Sequence, residues 1–181
     1  MDAPRPLRPD PLKVTLLWLF CLAVRFVPLR PANLEPVMAA LLPHAARHGA
    51  AASFVFAAAI MVVFDVLSGQ VGSWTWTTAL IYGLVGSGLS LWLRTRPPTV
   101  WNFVLGSVAG TLAFDVLTAA LGPLQGMQGW AEAYLLQIPF TLRHLAGNVL
   151  LAAVVSPLLF KWIVGNRRLC ADVVLRRLRR A

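Results

Sequence analysis

Apolar residues in this chain do not alternate with polar ones at a helical or strand period. They gather into long runs, and the polar residues, prolines and glycines fall mostly between them. Six segments follow from that pattern, at about Lys13 to Val27, Leu34 to Ala46, Gly49 to Leu67, Thr77 to Leu93, Val100 to Leu121 and Gln137 to Val164. Runs that are apolar all round belong to helices buried in lipid or in a core. A full bilayer crossing needs roughly 20 residues, so the second segment is short, either tilted or continuous with the third. Pro139 and Pro157 should start or bend the last helix, because proline donates no backbone hydrogen bond. The pattern predicts an all-α, polytopic membrane protein: a six-helix bundle over residues 13–164, preceded by a polar segment 1–12 and followed by a basic tail 165–181.

Composition agrees with that class. Of 181 residues 58% are hydrophobic and 13% charged, against about a quarter charged in soluble domains. A net charge of +9 would indicate a nucleic-acid partner in a soluble protein. Here basic residues cluster from Lys161 to Arg180, after the last apolar run, which instead makes a cytoplasmic tail beside anionic headgroups and no nucleic-acid partner. Within it Val173, Val174, Leu175 and Leu178 alternate with arginines, as in a surface-lying amphipathic helix. At the other terminus Arg5, Arg8 and Lys13 precede an apolar run, as in a signal peptide. Arg25, Pro28, Arg30 and Pro31 follow it in place of a small-residue cleavage site, so the segment is expected to be a retained helix.

Charge also orients the bundle. Arg47, Arg94, Arg96 and the arginine tail fall on one side of a six-pass arrangement, while the stretch Ser68 to Trp76 carries no charge and Gly122 to Leu136 only Glu132. Arg25 and Arg30 are the exception. Positive residues favour the cytoplasm, which puts both termini inside a multi-pass protein of the cell inner membrane.

Two lone carboxylates stand out. Phe64-Asp65-Val66-Leu67-Ser68 returns as Phe114-Asp115-Val116-Leu117-Thr118, each near the end of an apolar run. A charge facing lipid costs several kcal/mol even on lenient scales, so Asp65 and Asp115 should face inward, at similar depth near the outer end. The adjoining loops offer Gln70, Trp74 and Trp76, and Trp130, as hydrogen-bonding groups and flat apolar faces; tryptophans there also serve as interfacial anchors. In the last helix His144 and Asn148 share a face one turn apart, with Arg143 about 100° away. Arg143 is expected to pair with Asp65 or Asp115, as a structural ion pair or as part of a ligand site. His44 and His48 have helical spacing but no visible third ligand, so no metal or cofactor is predicted. No nucleophile sits beside a base with motif support, so the chain is not expected to be an enzyme.

The stretch Pro31-Ala-Asn-Leu-Glu-Pro-Val-Met-Ala-Ala40, the glycine- and alanine-rich run ending in Phe64-Asp65, Thr77 to Gly86, and Gly147-Asn148-Val149 together resemble the substrate-binding S components of energy-coupling factor transporters. The resemblance covers roughly residues 13–164. It implies a six-helix subunit that captures a small vitamin-like solute at the outer face. Its partners would be a transmembrane coupling subunit and two ATPase subunits, with no ATP site of its own. On this resemblance Asn33, Glu35, Asp65, Asp115 and Asn148 fall at polar positions near the binding region. One departure concerns docking: the Ala-x-x-x-Ala pair on the first helix is reduced to Ala23, with Leu19 and Val27 four positions away. The alternative is a structural membrane subunit of the MreD cell-shape type, in which the same polar residues form a buried network without a ligand.

Overall fold

The computed structural model describes residues 7–28, 34–124, 126 and 129–179. Among these the protein is all-helical: α1 (Pro11–Arg25), α2 (Pro36–Ala45), α3 (Ala50–Ser68), α4 (Ser73–Leu93), α5 (Val100–Ala119), a short α6 (Leu121–Leu124), α7 (Trp130–Leu159) continued by a π turn (Phe160–Val164), a 3₁₀ turn (Arg167–Leu169) and α8 (Ala171–Leu178). Every expected segment is helical. Among the described residues only α3, α4, α5 and α7 with its π turn are long and apolar enough to cross a membrane, so four helices there, not six, meet the length requirement. α1 and α2 have 15 and 10 residues.

Two boundaries move. α4 begins at Ser73, not Thr77, because the Thr75 hydroxyl accepts from Gly72 N at 3.1 Å and satisfies a first-turn donor. Trp74 and Trp76 therefore lie in the first turns of a helix and not in a loop. α7 begins at Trp130, well before Gln137, and Pro139 sits inside it. Proline's missing donor is tolerated in apolar helices that are held by neighbours.

α2 organises the bundle. All ten of its residues are buried, and α1, α3, α4, α5 and α7 all pack against it. The small residues make room for it. A Cβ on Gly106 would meet Leu42 at 2.8 Å, and one on Gly110 would meet Met38 at 2.9 Å, so the glycine pair of α5 is filled by α2 side chains. α3 and α4 approach closely as well: a Cβ on Gly86 would lie 2.7 Å from the Ser53 carbonyl oxygen. α3 stops at Gly69, whose φ of 70° only glycine adopts freely, and Gln70 N closes the turn on Asp65 O at 2.9 Å.

The ends of the bundle differ in chemistry. At one end the start of α1 meets the end of α7: Lys13 Nζ donates to Val164 O at 2.9 Å, and Ala171 N donates to Asp10 Oδ2 at 2.9 Å. The other end holds the α3–α4 turn and the start of α7. Exposed Trp101 and Trp162 mark the first end, and exposed Trp74, Trp76 and Trp130 the second. From Ser73 to Leu93 a helix measures about 31 Å, which matches a hydrocarbon core of about 30 Å.

Candidate functional site

Between the two ends of the bundle, α5 and α7 run antiparallel and share two polar rungs. His144 Nδ1 lies 2.8 Å from Asp115 Oδ1, and Asn148 Nδ2 donates to Thr111 Oγ1 at 2.9 Å. One turn separates the rungs on each helix, so both land on the facing seam. All four residues are buried, with Asp115 only 1% exposed. The Asp115 carboxyl thus occupies Nδ1 of the ring and leaves Nε2 without a partner among the described residues.

Aromatic rings wall this pair. Phe114 stands edge-on to His144 at 6.0 Å and packs against Tyr82 of α4 at 4.5 Å, and Phe140 approaches His144 at 5.4 Å. Tyr82 is within electrostatic reach of Asp115 and of a second charged pair, Arg25 Nε to Glu35 Oε2 at 3.8 Å. Arg25 also lies over the Phe64 ring at 3.7 Å. The cluster thus draws on α1, the entry to α2, α4, α5 and α7.

Four of its buried polar atoms have no hydrogen-bond partner among the described residues: Asp115 Oδ2, His144 Nε2, Asn148 Oδ1 and Tyr82 OH. Leaving such a group unsatisfied costs about 1–3 kcal/mol each. Their donor and acceptor character suits a small polar molecule or bridging waters.

Several expected positions lie elsewhere. Arg143 is exposed and pairs with neither aspartate, because the 100° step from His144 turns it away from the α5 seam. Asp65 is half-buried and its side chain makes no hydrogen bond or ion pair among the described residues. The two copies of the repeated phrase are therefore not equivalent, and no shared pair of carboxylates forms. Gln70 is exposed on the α3–α4 turn, and Trp74, Trp76 and Trp130 present more than half their surface outward. None of these joins the cluster. Asn33 lies outside the described residues. Asp115, His144, Asn148 and Glu35 remain from the expected set, while Arg25, Tyr82 and Thr111 are additions. Thr111 carries a signal in the chain, since it precedes Asp115 by one turn as His144 precedes Asn148.

The opposite end holds a second polar group. His44 and His48 stack at 4.3 Å between ring centroids, with Phe56 stacked on His44 at 4.4 Å. Burial, then Lys13 and Arg47, pushes the His48 pKa down to about 4. Metal-ligating groups come together among the described residues at Asp10, Cys170 and Asp172. The Asp10 oxygens already cap α1 and α8, and Asp172 is held by Arg176, so this set reads as a helix-capping junction.

No curated protein and no solved structure matches the chain. A family described as a family of unknown function, DUF6580, matches residues 6–166, which takes in every helix from α1 to the π turn, and the chain belongs to that family.

Proposed function

We propose that this protein is a membrane-embedded solute-binding subunit of the energy-coupling factor type. It would take a small hydrogen-bonding heterocycle at the Asp115–His144 cluster and hand it to a coupling subunit and two ATPases for uptake. The observation that carries this reading is the set of four orphaned polar atoms around the Asp115–His144 pair, on residues from three different helices; His44 and His48 carry orphaned atoms too, but no carboxylate joins them among the described residues. Buried polar groups are normally satisfied, and ionisable residues within membrane helices mark ligand or ion paths.

Charge supports the side. Arg47, Arg94, Arg96 and the tail arginines lie at the end opposite the cluster, so the positive-inside rule puts the cluster outward. In this topology α1 and α2 are short membrane elements completing six, both termini are cytoplasmic, and the protein sits in the inner membrane. Docking on a coupling subunit is supported by the exposed stripe Thr15, Leu19 and Ala23 along α1, which spares α2 and its neighbours.

The structural-subunit reading has its own support: Asp115 and His144 satisfy each other's first atoms at 2.8 Å, as interhelical glue would. A thermal-shift series separates the two. Purified protein in detergent is melted against a panel of vitamin-class solutes. One solute should raise the melting temperature, since a ligand bound only by the folded state stabilises it. Asp115→Asn should shrink that rise while the protein still folds. If no solute moves the transition, the structural reading stands.

A further inference from the structure

The tail helix α8 plays no part in the solute site, yet it is fixed in place. Asp10 Oδ1 caps α1 by accepting from Leu12 N at 3.0 Å, and Asp10 Oδ2 accepts from Ala171 N at 2.9 Å. One carboxylate therefore ties the first turn of α8 to the first turn of α1, at the end marked by exposed Trp162 beside Lys161. Such tryptophans and lysines sit at headgroup level.

α8 is two-faced. Ala171, Val174 and Leu175 fall on one side of the helix, with Arg176 and Arg177 on the other. Leu175 is 54% exposed, so protein does not cover it. Five arginines against one aspartate lie between residues 167 and 179. Among the described residues Asp172 pairs with Arg176, and Arg177 and Arg179 are exposed.

We propose that α8 is a lipid-reading device: it lies in the interface of the bilayer that holds the bundle, with Leu175 dipped among the acyl chains and the arginines on anionic headgroups. Charge complementarity and continuity with the Lys161–Trp162 belt argue for lipid as the occupant. Arginines beside an anionic surface each contribute roughly fivefold in occupancy, so docking depends on headgroup charge.

The test uses the full chain carrying Cys170→Ser and Leu175→Cys, with Cys21 buried and silent. The new thiol takes a polarity-sensitive fluorophore, and the protein is reconstituted in phosphatidylcholine alone or with phosphatidylglycerol added. Emission should shift to the blue, and acrylamide quenching should fall severalfold, only in the anionic bilayer. Adding Arg176→Gln and Arg177→Gln should return both readings to the phosphatidylcholine values. These side chains are exposed, so the melting temperature should not move, and that separates a lost lipid contact from a lost fold. Equal quenching in both bilayers overturns the proposal. So does a label fully accessible in both, the outcome expected of a helix that serves a soluble partner.

Discussion

The two ends of α2 bury their polar groups with different kinds of partner, though each leaves some atoms without one among the described residues: His44 Nε2 and His48 Nδ1 at the basic end, Asp115 Oδ2, His144 Nε2 and Asn148 Oδ1 at the other. At the basic end side chains bond to backbone: Lys13 to Val164 O at 2.9 Å, Ser90 to His48 O at 2.7 Å and Ser87 to Ala50 O at 3.1 Å. Each closes a gap between two segments, and among the described residues no carboxylate joins the stacked histidines. At the carboxylate end side chains bond to side chains, and each rung keeps an atom in reserve. Backbone carbonyls are fixed by the fold, so bonding to them ties segments together. Side-chain pairs can exchange partners, so they can accept a guest. The difference separates stitching from a site, and it can be attacked from both sides.

The largest effect should come from splitting the carboxylate pair. His144→Leu leaves the buried Asp115 carboxyl without its partner, and removing one side of a buried pair costs about 3–5 kcal/mol. Denaturant melts in detergent should show that loss. The double variant Asp115→Leu with His144→Leu should recover most of it, because a well-packed apolar pair replaces a buried polar pair at little cost. It should not recover any solute-induced stabilisation. A double variant that still binds would remove the distinction between the two ends.

At the basic end Lys13→Met leaves the Val164 carbonyl without its donor. An unsatisfied buried acceptor costs about 1–3 kcal/mol, partly offset by removing a buried cation. The melting temperature should fall, whereas solute-induced shifts should keep their size. Loss of binding here would mean that the two ends are coupled through α2.

How far these ends could be read in the chain depends on which constraint each residue obeys. Segment positions follow from solvent: only helices and closed barrels keep backbone groups satisfied in lipid, and long apolar runs without barrel-type alternation belong to helices. The seam of α5 and α7 follows from spacing, since Asp115 and His144 each bring a polar residue one turn away. Arg143 went astray because adjacent sequence positions diverge by 100° on a helix, and rotation is set by packing. Asp65 went astray for a related reason. Phe64 is taken up by Arg25 and Phe26 from α1, whereas Phe114 meets Tyr82 and His144, so identical phrases acquire different neighbours. The central burial of α2 has no signature in its ten residues beyond their apolarity; the glycines that receive it lie on α5.

A pH titration probes the basic end more gently. His48 has a folded pKa near 4 against an ordinary 6.5, because burial and the cations Lys13 and Arg47 disfavour its charged form. The unfolded chain therefore binds more protons between these values, and stability rises with pH across that window. Its contribution is complete above pH 6.5 and is lost progressively as pH falls toward 4. Melting temperatures should drop by several degrees over that interval, and His48→Gln should make the dependence shallower. His44, stacked on His48 and buried with it, carries the rest, so a slope that survives the double variant His44→Gln with His48→Gln would assign it to another group.

The smallest effect should come from the tryptophans that border the carboxylate end without entering it. Trp76 is 61% exposed in the first turns of α4, where an aromatic ring sits at headgroup level and anchors the helix. Exposed substitutions away from buried networks change stability by about 0.5 kcal/mol or less. Trp76→Ala should therefore leave both the melting temperature and the solute-induced shift nearly unchanged. Trp74→Ala should behave alike, because its ring is 56% exposed on the same turn. A tenfold or greater loss of solute affinity in either variant would mean that the ring folds over the Asp115–His144 cluster when solute arrives. The boundary of the site would then run along the bundle's rim, beyond the seam between α5 and α7.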